Sequence, residues 1–174
     1  MLFDDDYSFK GIHAEKVIEL TASFDEKGNK LFTRNLDVYL IAPIVGFIYG
    51  KKSEIDISGK TTNILYAAMS KEITTLWFNY RLIMLLDKNN EPDFDKRVEK
   101  AFRDYGSEQA KLDEELYESY VRGGVDILHE KLITTVSPHV EDYLKKLYLF
   151  IEEFEKRYGQ NTEEILNLVQ LART

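Results

Sequence analysis

The densest apolar run in the chain, Thr61 to Asp87 (TTNILYAAMSKEITTLWFNYRLIMLLD), also holds its only tryptophan, Trp77, and constrains the fold more than any other stretch. Leu65, Met69, Ile73, Leu76, Tyr80, Ile83 and Met84 recur at spacings of three and four, which gathers them on one face of an α-helix. Past Leu76 the apolar surface widens, because Trp77, Phe78, Leu82, Leu85 and Leu86 point to other sides. A helix that is apolar nearly all round needs partners all round. The spacing therefore predicts one long buried helix over about 61–87, at the centre of a bundle, where each fully buried large side chain contributes roughly 1.5–3 kcal/mol.

The rest of the chain also reads as helical. Residues 1–10 form a loosely ordered acidic lead. His13, Val17, Leu20 and Phe24 fall at helical spacing, although a hairpin around DEKGNK competes. The segment NLDVYLIAPIVGFIYG, which Thr33 or Asn35 could cap, is open to three readings: one helix, a helical hairpin kinked at Pro43, or a buried strand. Gly46 within it allows another backbone, expected to be that of the central helix, to approach closely. After the turn KNNEPD, Phe94, Val98, Ala101 and Phe102 line a further helix. Leu112, Leu116, Tyr120 and Val121 lead into Gly123–Gly124, a pair costing roughly 1 kcal/mol each inside a helix, which marks a break or a close crossing. Ser137 and Pro138 open a helix striped by Tyr143, Leu147, Phe150, Ile151 and Phe154 and closed by Gly159, and Thr162 caps a last one. The sum is one all-α domain, residues 1–174, a helical bundle of six or seven helices.

At 174 residues such a domain can bury a core without staples, and the absence of cysteine excludes disulfides and thiolate metal sites. A cytoplasmic setting is expected, since the start of the chain is acidic where an export signal is basic and then apolar. No stretch reaches the ~20 apolar residues of a membrane span, so no membrane partner is expected. The net charge of −8 limits nucleic-acid binding to a local basic patch.

Catalytic motifs are incomplete. Gly59, Lys60 and Thr61 match the end of a phosphate-binding loop, but Glu54 stands where its first glycine belongs and Asp56 would repel phosphate. Asp87, Asn89 and Glu91 alternate as in a calcium loop, but Pro92 and Val98 occupy two of its key positions. Asp126 with His129, and His139 with Asp142, have the i, i+3 spacing of bundle metal ligands, with Glu115 and Glu118 as further carboxylates. A metal-dependent bundle enzyme is thus one alternative. No activated nucleophile is recognisable, no cofactor is implied, and the balance leans away from an enzyme.

Arg81 sits inside the apolar run, where a permanent charge needs a partner: Asp87, a carboxylate of a neighbouring helix, or an anionic ligand. Lys27, Lys30 and Arg34 precede the Pro43 segment, while Lys51, Lys52 and Lys60 follow it. A hairpin at Pro43 would merge these six into a nucleic-acid or anion surface, whereas a straight helix would keep them about 24 Å apart. Aromatic residues anchor many interfaces, which makes Tyr117, Tyr120, Tyr143, Tyr148 and Tyr158 candidates for contact with a protein partner.

Residues 30–56, KLFTRNLDVYLIAPIVGFIYGKKSEID, resemble a segment of small accessory proteins of bacterial phosphorothioation (Dnd-type) and related phage-defence operons, through Leu31, Phe32, Arg34, Asp37, Ala42, Gly46 and Lys51–Lys52. The resemblance implies a non-catalytic helical subunit working beside a DNA-acting ATPase or nuclease, and it carries over no catalytic residue. The expected function is a non-enzymatic accessory subunit of a bacterial multiprotein assembly. A nucleic-acid-binding module is the other alternative, and direct nucleic-acid binding is not favoured.

Overall fold

A computed structural model describes residues 2–104, 107–133, 139–158 and 163–174. Strand β1 (Tyr7–Lys10) runs into helix α1 (Gly11–Leu20), followed by α2 (Asn35–Ile48) and strand β2 (Thr61–Ile64). Then come a single turn α3 (Tyr66–Met69), a 3-10 turn (Ser70–Glu72), α4 (Ile73–Leu86), α5 (Phe94–Phe102), α6 (Ala110–Leu132), α7 (Val140–Tyr158) and α8 (Glu163–Ala172). The domain is mostly helical, as its periodicity predicts, with one small antiparallel sheet that pairs Tyr7 with Ile64 and Lys10 with Thr61. The expected helix starts at Ser137–Pro138 and Thr162, and the stop at Gly159, lie outside the described residues.

The N-terminal half of the chain departs from its spacing. The run 61–87 is not one helix: Thr61–Ile64 is the β2 strand, and the long helix begins only at Ile73. The β-branched Thr61 and Thr62 find backbone partners in β1, and Leu65 takes an extended conformation that breaks the helical phase and leaves it 62% exposed. From Ile73 onward the stripe behaves as expected, with Leu76, Tyr80, Ile83 and Met84 buried. Nor is the acidic lead loose. Phe3, only 3% exposed, meets Trp77, Tyr117 and Tyr39 edge-on, with ring centroids 4.9, 5.9 and 6.3 Å away, and β1 is held in the sheet.

The core is built on a contact between α2 and α6. Helix α2 is continuous through Pro43. One turn before the proline, the Leu40 carbonyl accepts a hydrogen bond from the buried Asn79 side chain at 2.7 Å, which satisfies a backbone group in the stretch that proline disturbs. The start of α2 is not capped by Thr33 or Asn35. Arg34 takes the cap position, and the Asp37 carboxylate accepts its backbone N–H at 2.8 Å. At the other end Gly50, at φ +63°, closes the helix, with Lys51 N–H donating to the Gly46 carbonyl and Gly50 N–H to that of Phe47.

Glycine sets the distance between the two helices. A methyl group on Gly124 would collide with the carbonyl of Ala42, one on Gly46 with that of Tyr120, and one on Gly123 with that of Lys51. The glycine pair is therefore a crossing inside one unbroken α6, and the backbone that Gly46 admits is that of α6, not of α4. Val38, Tyr39, Val45, Tyr117, Val121 and Val125 close over this seam and are buried.

The remaining elements wrap this pair and α4. Arg97 of α5 is buried, and its guanidinium donates to the carbonyls of Leu85, Glu91 and Pro92, all at 2.8 Å, which satisfies acceptors at the end of α4. Among the described residues no helix is long and apolar enough to cross a membrane.

Because backbone atoms fill the space a side chain would need, Gly124→Ala should lower the unfolding free energy by about 1–3 kcal/mol or more. Leu112→Ala, on the exposed side of α6, should stay within about 0.5 kcal/mol. Urea denaturation of both variants checks this; equal midpoints would refute the tight crossing.

Candidate functional site

Arg34 and the Lys51–Lys52 pair lie at opposite ends of α2, so the six loop cations do not all meet at one point. Helix α2 is straight enough to hold its ends about 21 Å apart at 1.5 Å per residue, with Arg34 at one end and Lys51 and Lys52 at the other. Arg34 is engaged by Asp37 at 2.6 Å and Glu72 at 3.6 Å, and Lys52 lies 5.1 Å from the ring centroid of Tyr120. Lys27 and Lys30 occupy the exposed turn closed by the Ser23–Lys30 bridge, and Lys60 leads into β2. The loop before Lys60 turns on itself: Asp56 accepts from the Ser58 hydroxyl and N–H and from the Ile12 N–H, which holds its carboxyl down at about 2. Thr61 then enters a strand instead of a helix, the reverse of what a phosphate loop requires.

Arg81 is half-buried, and Asp87 is not its partner. The Asp87 carboxylate accepts the Tyr120 hydroxyl at 2.8 Å and the Asn90 N–H at 3.1 Å. Among the described residues the Arg81 guanidinium lies in no ion pair, and its contact is the ring of Phe102 at 5.1 Å.

Asp126 and His129, the first metal-ligand pair, separate. Asp126 takes hydrogen bonds from Lys16 at 2.6 Å and the Ser53 hydroxyl at 2.5 Å, with His13 at 3.4 Å. Burial opposes its ionisation, but the bonds from His13, Lys16 and Ser53 outweigh that and hold the carboxyl well below the usual range. His129 turns away to Glu19 at 2.6 Å, and Asp142 accepts the backbone N–H of His139 at 2.9 Å. No three His, Asp or Glu side chains among the described residues converge as a metal site would need.

Of the candidate interface tyrosines, Tyr117 and Tyr120 are corrected to core residues, because α6 is covered on both the α2 and α4 sides. Tyr143 is also buried and stacks on Phe24 at 5.0 Å. The side chain of Tyr158 lies outside the described residues. Tyr148, 66% exposed, is the one that faces out.

Tyr148 is not isolated. Val140, Leu144 and Ile151 are exposed on the same helix at 37%, 56% and 49%. At about 100° per residue these four fall within an arc of about 80°. The seam that α7 does bury, through Tyr143 and Phe150, lies beside this arc. The apolar face of α7 is wider than the groove it fills.

A second feature, on α6, has electrostatic character. Glu118 accepts the Tyr39 hydroxyl at 2.6 Å and the Tyr7 hydroxyl at 2.7 Å, joining α6, α2 and β1. It sits at the floor of a cleft of about 340 Å³ rimmed by Asp5, Asp6, Glu114 and Glu115. Burial raises its carboxyl to about 7, against the lowering effect of the bonds from Tyr39 and Tyr7. The sequence presents Glu118 as a candidate metal ligand, yet it also carries a packing signal: Glu118, Val121, Val125, Leu128 and Leu132 follow one another at spacings of three and four. Arg122 was passed over altogether; its guanidinium is buried, bonds Glu115, and donates to the Ser53 carbonyl at 2.8 Å.

The raised pKa means that the folded state holds the Glu118 proton more tightly than the unfolded chain, whose carboxyl titrates near 4.5. This contribution is complete below pH 4.5 and is lost as pH rises through about 7. Allowing for the part of Glu118 that water reaches, wild type should lose about 1–3 kcal/mol more than Glu118→Gln across that window. Denaturant melts of both proteins from pH 4.5 to 7.5 read the difference, and parallel curves would contradict it.

Set against family models, curated proteins and solved structures, the chain matches none.

Proposed function

We propose that the chain is a non-enzymatic helical association subunit that docks an amphipathic helix of a second protein along the outer arc of α7. The observation that carries this reading is the exposed stripe Val140, Leu144, Tyr148 and Ile151. Its spacing of four, four and three is the one that helices use to interdigitate, and Tyr148 supplies an aromatic anchor of the kind that dominates interface energies. Helical partners suit the site because the stripe, about 17 Å long at 1.5 Å per residue, runs straight along one helix. The resemblance of residues 30–56 to Dnd-type accessory proteins supports a cytoplasmic setting in bacterial phage defence or DNA processing, with a DNA-acting ATPase or nuclease in the assembly. The length of α2 between Arg34 and the Lys51–Lys52 pair weakens the case for one nucleic-acid surface built from all six cations.

Light scattering with mass spectrometry on complexes recovered from the chain's own host tests the proposal. Wild type should be recovered with a second protein at fixed stoichiometry. The double variant Leu144→Glu, Tyr148→Glu should be recovered alone, with an unchanged melting temperature because both positions face solvent. A wild-type chain recovered bare or as a homodimer, or a double variant that keeps its partner, would overturn the reading.

A further inference from the structure

Beside α4, on a different part of the molecule from the α7 arc, lies a cleft of about 650 Å³ between α4 and the end of α8. Its walls include Thr74, Thr75, Trp77, Phe78, Arg81 and Arg173. In a chain with 31 acidic residues against 23 basic ones, no Asp or Glu side chain lines this cleft, whose wall is completed by Ile73, Ala172 and Thr174. Both arginines are held by rings instead of carboxylates, Arg81 over Phe102 at 5.1 Å and Arg173 over Phe78 at 5.8 Å. Neither forms an ion pair among the described residues.

A half-buried guanidinium without a carboxylate is an unusual thing to retain, since a ring contact returns only about 0.5–2 kcal/mol. The same planar fork is the side chain best shaped to grip a phosphate or carboxylate through two parallel N–H donors. Thr74 and Thr75 add exposed hydroxyls at the mouth, and Trp77 and Phe78 supply flat apolar surface within the same cleft. Its volume falls within the roughly 300–1,000 Å³ of small-molecule sites.

We propose that this cleft binds a small amphiphilic anion, an aromatic ring carrying a phosphate or carboxylate. The ring lies against Trp77 and Phe78, and the anionic group is held between Arg81 and Arg173. The site is independent of α7, so it stands or falls separately from the association reading.

Titration of the full chain with 1-naphthyl phosphate tests this by calorimetry, with fluorescence of the only tryptophan as a second readout. Saturable binding of one ligand per chain with a change in Trp77 emission is expected, together with competition by inorganic phosphate. Neutral 1-naphthol should bind about tenfold or more weakly, the loss that follows from removing a charge-assisted contact. Arg173→Gln, at an exposed position where folding is not at stake, should weaken naphthyl phosphate by a similar factor, as should Arg81→Gln. No saturable binding at millimolar ligand, naphthol binding as tightly as its phosphate, or an Arg173→Gln chain of undiminished affinity would each overturn the proposal.

Discussion

Two helix backbones in direct contact hold this fold together. Where Ala42 and Gly46 of α2 meet Gly124 and Tyr120 of α6, and where Lys51 just beyond α2 meets Gly123, carbonyl groups occupy the space that β-carbons would otherwise fill. Glycine inside a helix is unfavourable in isolation, so a pair of them within a 23-residue helix is accounted for by the packing it permits. The close approach fixes how α2 and α6 cross. It thereby sets where Tyr39 meets Glu118 and where Asn79 reaches the Leu40 carbonyl beside Pro43.

Around that contact three of the buried polar side chains act on the backbone. Arg97 closes the end of α4, Asn79 serves α2, and Arg122 takes the Ser53 carbonyl as the 51–60 segment passes along α6. Each would be costly to bury alone, and each finds a backbone carbonyl as acceptor. Arg81 is the exception. Among the described residues it has aromatic company but no carbonyl or carboxylate bond, and it lines a cleft.

Features with local causes were legible in the sequence. The apolar stripe of α4 and a close backbone approach at Gly46 follow from spacing and side-chain size, and a crossing was one of the two readings open at Gly123–Gly124. Phe94, Leu112 and Ile151 of the other expected stripes, by contrast, are exposed. What escaped was decided at a distance. Thr61–Ile64 is a strand because Tyr7–Lys10 lies beside it, and Leu65 falls in phase with the α4 stripe only by coincidence of spacing. Tyrosine anchors interfaces and fills cores alike, so residue type alone could not separate Tyr117 and Tyr120 from Tyr148. Arg97 and Arg122 bond largely to carbonyls, which every sequence has everywhere and none displays. Glu118 was in helical phase with valines and leucines, and that phase was the clue to its burial.

Helices α2 and α6 should form the most cooperative part of the molecule, with α7 peripheral and part of its apolar face uncovered. Native-state hydrogen exchange measures this directly. The slowest amides should lie near Val45 and Gly46 and near Tyr120 to Gly124, exchanging only when the whole chain unfolds, while those of α7 exchange through a smaller opening. If α7 proved as protected as the crossing, or if the amides at the crossing exchanged first, the central claim would be wrong.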